Sequence, residues 1–249
     1  MTTRRRKVLV SFAALLVAGT AGAYVAYDQF LRGDNVAPIG LSSASPGGTA
    51  ATGAPSGSPG TSGTPLTPAQ RSGTWSVAEG SVAGYRVREQ LASLPAESDA
   101  VGRTSAITGR ATLAADGDSV SVTAATFEVD LTMLQSDQER RDARIRQIGL
   151  ESARFPTASF VLAEPVAVPA AALGGAAVDV TLVGDLTLHG VMKLVEIPAH
   201  AQLRGDQIQV AGSLTFPFAD FGMEPPSIGG FVSVKEDATL EFLLILAHD

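Results

Sequence analysis

From Trp75 to the end of the chain, apolar residues return at every second position, the period of a strand with one buried face. Ile208, Val210, Gly212, Leu214, Phe216 and Phe218 share one parity, opposite Gln207, Gln209, Ser213 and Thr215. Val178, Val180, Leu182, Gly184, Leu186 and Leu188 repeat the pattern, and Ile107, Gly109, Ala111 and Leu113 do so again. Between Ser119 and Leu131 the apolar phase slips by one near Ala124–Ala125, which predicts a β-bulge. Leu240, Phe242, Leu244 and Leu246 close the chain, with Leu243 and Ile245 making this strand apolar on both faces. Turn signals at Ala115–Asp118, His189-Gly190 and Arg204–Asp206 separate the runs, so consecutive antiparallel strands are the economical arrangement. About eight strands result, with one helical insertion over Asp137–Gly149, in which Leu134, Ile145 and Ile148 would share a face. So many strands and so little helix make an all-β domain, a sandwich or a closed barrel.

The segment before Trp75 is of a different kind. Arg4, Arg5, Arg6 and Lys7 precede Val8–Tyr27, 20 residues without a charge. A helix of that length spans about 30 Å, the hydrocarbon thickness of a bilayer. Cations ahead of the apolar run keep the N-terminus in the cytoplasm and send the rest outside. Two readings stay open: an uncleaved single-span membrane anchor over residues 1–32, and a signal peptide cut after Ala21-Gly22-Ala23, which releases a secreted product. Of residues 40–74, 31 of 35 are Gly, Pro, Ser, Thr or Ala, so 33–74 reads as a disordered linker ahead of a folded domain at 75–249. A coil of about 40 residues reaches roughly 35 Å.

Charge and cysteine content exclude several kinds of chemistry. Residues 1–74 carry a balance of +4 and residues 75–249 one of −11. So acidic a domain is a poor partner for nucleic acid. The absence of cysteine excludes disulfides, thiolate catalysis and thiolate-bound metals, and it excludes an N-terminal lipoprotein. Nucleophile elbows, phosphate-cradling loops and zinc-protease spacings are absent, which gives no support to an enzyme. His189, His200 and Asp185 are better read as turn or surface residues than as a metal or acid–base site.

An eight-stranded barrel is either filled by its side chains or wide enough for one small ligand. Inward phenylalanines alternate here with Gly109, Ala111, Gly184 and Gly212, and small inward residues would leave room. If a cavity exists, its candidate liners are Ile107, Leu113, Phe127, Val129, Leu182, Leu186, Val210, Leu214, Phe216 and Phe242. Arg140, Arg141, Arg144, Arg146 and Arg154 lie within fifteen residues. Arg141 and Arg144 are the candidate contacts for a polar head group at the mouth. The competing reading is a solvated helix face compensated by Asp137, Glu139, Asp142 and Glu151.

Four blocks in order, Arg141-Asp142, Phe155-Pro156-x-Ala158-x-Phe160, Gly184-Asp185-Leu186-Thr187-Leu188-His189-Gly190-Val191 and Asp220-Phe221-Gly222, resemble those of the YceI-like family. The resemblance spans Trp75–Leu246 and implies an eight-stranded antiparallel, lipocalin-like barrel whose interior binds a polyisoprenoid or similar long amphiphile. No cofactor is implied beyond a bound isoprenoid lipid or quinone, and members are typically exported. Met192, Leu194, the segment Ala143–Glu151, which lacks the family's common aromatic, and the charged opening Arg86–Leu91 depart from the family pattern in segments expected to touch ligand. Two functions follow as expectations: extracytoplasmic binding, carriage or sequestration of an isoprenoid lipid beside the membrane, or a non-catalytic interaction module displayed on a stalk at the cell envelope.

Overall fold

The computed structural model describes residues 36–41, 71–91, 97–117, 119–228 and 232–249. The expected apolar anchor and most of the expected linker lie outside these residues. Twelve strands form one antiparallel sheet among the described residues: β1 (Gly73–Val77), β2 (Val82–Leu91), β3 (Glu97–Thr104), β4 (Ile107–Asp116), β5 (Ser119–Asp130), β6 (Thr157–Leu162), β7 (Val166–Val168), β8 (Val178–Leu188), β9 (Val191–Arg204), β10 (Gln207–Pro217), β11 (Ser227–Ile228) and β12 (Val232–His248).

Eight of them close a barrel in the order β1-β4-β5-β6-β8-β9-β10-β12, with β12 returning to β1 through Trp75↔His248 and Val77↔Leu246. Closure leaves no edge strand within this ring. β12 is long enough to take a second partner on the same edge: from Val232 to Leu243 it pairs with β2, which pairs with β3. β3 is tied in turn to the segment after β5, where Arg103 and Gln135 exchange backbone hydrogen bonds of 2.8 and 3.0 Å. The wall is therefore completed by β1 and β4 at one end and by β2 and β3 at the other.

The alternation read from sequence sets which side chains enter. Trp75 is fully buried, and its indole N–H donates to the Arg71 carbonyl at 3.0 Å. The bulge falls one residue before the expected place: Thr112 pairs with Ala124 but Leu113 with Val122, so Thr123 is the extra residue. Thr123 and Ala124 both face out, and Ala125 resumes the inward phase. At the β8–β9 hairpin His189 (φ 52°) and Gly190 (φ 75°) both adopt left-handed backbone, which a two-residue turn of this hand demands. The helical insertion is short, Glu139–Arg144 followed by a wider turn over Ile145–Gly149. Its expected apolar face is only partly formed: Leu134 is buried and Ile145 half-buried, whereas Ile148 is 53% exposed.

Candidate functional site

Inside the barrel lie two chambers separated by a waist. The first, about 240 Å³, lies at the end walled by β2 and β3 and is roofed by Leu131–Gln135 and the helical insertion. The second, about 100 Å³, lies at the other end, beneath Arg71, Trp75 and Leu173.

Each strand of the ring contributes to the layers in sequence. On β6, Ala158 lines the first chamber and Leu162 the second, with Phe160 between them packed against the cores at both ends. On β12 the series runs Leu240, Phe242, Leu244, and on β8 it runs Leu188, Leu186, Leu182. On β10, Phe216 lines the first chamber, Leu214 is packed against both cores, and Val210 lines the second. Phe160, Leu186, Leu214 and Phe242 form the waist.

The sequence candidates therefore separate into three groups. Val129, Phe216, Arg141 and Arg144 line the first chamber. Leu113, Phe127, Leu182 and Val210 line the second. Ile107, Leu186, Leu214 and Phe242 line neither and belong to the packed core.

The inward glycines do not leave ligand space, contrary to expectation. A Cβ on Gly109 would lie 2.7 Å from the Phe127 ring, one on Gly184 2.4 Å from Phe160, and one on Gly212 2.8 Å from Phe242. Each glycine is the seat of an aromatic ring from a neighbouring strand.

Polar groups gather at the mouth of the first chamber. Glu89 on β2 is 7% exposed, and its carboxylate accepts from Arg141 at 3.3 Å. Arg141 also pairs with Asp137, one helical turn before it. Burial holds the Glu89 carboxyl above its ordinary range, and the nearby guanidinium only partly offsets this. Asp142 points away from the chamber and accepts the Ser136 N–H at 3.0 and 3.2 Å, which fixes the loop leading into the helix.

Tyr85, two turns of the β2 pleat before Glu89, lies over Gly102 on β3, where a Cβ would meet its hydroxyl at 2.7 Å. Its buried hydroxyl has no hydrogen-bond partner among the described residues, and burial raises its pKa. Sequence reasoning missed Tyr85 and reached Glu89 only as one member of the charged opening Arg86–Leu91. The signal was their shared parity with Val87, opposite the outward Arg86 and Arg88.

Of the segments departing from the family pattern, two reach the first chamber as expected, through Val87 and Glu89 and through Arg144, Ile145 and Leu150, and the rest do not. Met192 and Leu194 stand on the outer wall, 66% and 65% exposed, and Arg86 and Arg88 form ion pairs with Asp99 outside the barrel.

The motif blocks converge at this same end. The His189 ring lies 4.3 Å from Phe155, and its Nδ1 is 3.2 Å from the Phe221 carbonyl. A Cβ on Gly190 would lie 2.7 Å from Phe155. Three blocks thus clamp one another beside the chamber, a structural role for residues that resemble a site. His200 pairs with Asp179 on the surface at 2.6 Å, and no cluster of metal-binding side chains occurs among the described residues.

The comparisons agree with this architecture. No curated protein matches the chain in sequence. A polyisoprenoid binding domain from Saccharophagus degradans, implicated in plant cell wall breakdown, is 18% identical with a TM-score of 0.53, covering 72% of this chain and all of that one. BcnA from Burkholderia cenocepacia is 15% identical with a TM-score of 0.47, over 66% of this chain and 95% of the other. The Campylobacter jejuni YceI protein is 15% identical with a TM-score of 0.43, over 56% and 80%. At 18% identity the likeness to the Saccharophagus degradans domain is one of fold alone. The model of the YceI-like domain matches residues 77–246, from the last residue of β1 to the barrel-closing end of β12, and the chain belongs to that family.

Proposed function

We propose that the protein binds a long isoprenoid or similar amphiphilic lipid without catalysis, its polar head at the Glu89–Arg141 mouth and its tail directed toward the waist. The observation that carries this reading is the first chamber: about 240 Å³ of largely apolar interior with its charged and hydroxyl groups gathered at one end. Burial of a tail there yields roughly 25 cal/mol per Å² of apolar surface, enough for tight binding without many polar contacts. The head-group contacts are mixed in charge. Arg141 is already paired with two carboxylates, which favours a head that is polar but not strongly anionic, such as a quinone carbonyl, over a pyrophosphate. The polyisoprenoid-binding domain of matching fold supports the same ligand class.

The cationic N-terminus and the uncharged run Val8–Tyr27 support a position outside the cytoplasm beside a membrane, with the run as anchor. Native mass spectrometry of the full chain purified without delipidation tests the binding reading. A co-purified apolar mass displaced by added isoprenoid is expected; its absence, with no saturable binding of a quinone or polyprenol, rejects the reading.

A second reading, a displayed interaction module, draws on the outer wall, where Val161, Leu194 and Met192 are exposed apolar side chains on β6 and β9. A saturable protein partner that is lost in Leu194→Glu, with no lipid bound, would favour it.

A further inference from the structure

Residues Val36–Leu41 are not loose chain. They lie on the outer face of β12, fixed by a buried carboxylate. Glu241 is 2% exposed; its Oε1 accepts from Arg103 at 3.1 Å and Arg86 at 3.4 Å, and its Oε2 accepts the Ile39 N–H at 3.1 Å. The same two guanidiniums donate to the strap's backbone, Arg86 to the Val36 carbonyl at 2.8 Å and Arg103 to that of Ala37 at 2.6 Å. Gly84 lies between β12 and β3 in this row, and a Cβ there would sit 2.9 Å from the Arg103 side chain that crosses it. Below this row Ile39 and Leu41 cover Ala211, Leu243 and Ile245, the second apolar face of β12. Without the strap that face would be bare and the Glu241 carboxylate would lose one of its donors, a costly state for a buried charge.

The strap has a direction. Val36 is held by Arg86, which pairs with Thr239, whereas Ile39 and Leu41 pack at the level of Leu243 and Ile245. The Val36 end of the strap is therefore the end nearer Ala238 and Val234, which line the first chamber. Tyr27, the last residue of the apolar run, is nine residues before Val36, at most about 30 Å of extended chain. The roof at that end also exposes apolar side chains, Met133 at 52% and Ile148 at 53%, beside the exposed Arg146 and Arg154. Asp137, Glu139 and Glu151 share the roof, so its charge is mixed and its apolar tips stand out.

We infer that the Val36–Leu41 strap aims the mouth of the first chamber at the phospholipid surface entered by the apolar run, with Met133 and Ile148 touching that surface. This rests on the anchor reading above and goes beyond it. Clasped at Glu241, the barrel is held ahead of the Gly/Pro/Ser/Thr-rich stretch, and its lipid-facing end is set by the strap.

The chain has no cysteine, so single labels report one site each. The full chain carrying a fluorophore at Ile148→Cys or, at the opposite end, Asp206→Cys is reconstituted into vesicles of equimolar phosphatidylcholine and phosphatidylglycerol containing doxyl-labelled lipid. Quenching several-fold stronger at 148 than at 206 is expected. Ile39→Asp, which alters the strap and leaves the barrel sequence intact, is expected to erase the difference. Equal quenching at the two sites in vesicle-bound protein overturns this inference alone, as does an asymmetry that survives Ile39→Asp. Failure of the full chain to float with the vesicles overturns the anchor reading and this one with it.

Discussion

Phe242 occupies the space that Gly212 leaves: the two are paired across β10 and β12, and a Cβ on Gly212 would lie 2.8 Å from the ring Cζ. The glycine is therefore part of the packing of the waist. Gly212→Ala is expected to destabilise the barrel by about 1–3 kcal/mol, the usual cost of overpacking. Phe242→Leu in the same chain should restore part of the loss, and only part, because the Pro198 carbonyl would still lie 3.0 Å away. Urea unfolding of the three variants measures both terms; additive losses would show that the ring and the glycine are not coupled.

That pair also marks what the sequence made legible and what it did not. Alternation placed Gly212, Gly184 and Gly109 on the inward face correctly, because a strand's period of two is a local property. What stands opposite each glycine depends on cross-strand register. The phenylalanines that fill those spaces come from neighbouring strands; Phe160 stands on β6, which pairs directly with the β8 strand of Gly184 but lies far from it in sequence. Arg141 and Arg144 were legible as a cationic cluster on the insertion, whereas Glu89, the carboxylate counterpart of Arg141, sits 52 residues before it on another strand. Leu243 and Ile245 made β12 apolar on both faces, a visible sign that something covers it. Val36–Leu41 is too short for any periodicity to nominate it as the cover.

Tyr85 separates ligand binding from stability. Its hydroxyl is buried at the mouth with no partner among the described residues. Tyr85→Phe should leave the ligand-free protein as stable or about 1 kcal/mol more so, since an unpaired polar group is removed. If the hydroxyl donates to the head group, the same change weakens isoprenoid binding roughly 10-fold. Thermal unfolding of the delipidated protein and a quinone titration read the two effects; unchanged affinity would remove Tyr85 from the site.

Glu89 predicts a pH dependence of unusual sign. Burial raises its carboxyl above the ordinary value of 4.5 despite Arg141. The folded protein then holds a proton at pH values where the unfolded chain has lost it. Glu89's contribution to stability accordingly falls as pH rises from the unfolded pKa through the folded one, and is lowest above both. Glu89→Gln should flatten the stability curve across the window that opens at the ordinary value and extends above it. Unfolding free energies followed by tryptophan fluorescence report it through Trp75, the chain's one tryptophan. Parallel slopes for the two proteins would show that the Glu89 proton is not linked to folding.

The waist predicts how tail length is set. Phe160 stands on β6 between Ala158, which lines the first chamber, and Leu162, which lines the second, and its ring fills the place above Gly184. A tail entering at the Arg141 mouth meets this layer before it reaches the second chamber. Truncation to alanine should connect the chambers, but it removes a well-packed aromatic at a cost of about 3–5 kcal/mol. Phe160→Leu is the milder probe, because it thins the waist while keeping an apolar plug beside Leu186 and Leu214. The masses of co-purified lipid, compared by native mass spectrometry, are expected to shift upward by whole isoprene units in both variants, more so in the alanine one. An unchanged distribution, with both variants folded, would mean that the tail stops short of Phe160 and that its length is chosen in the first chamber alone.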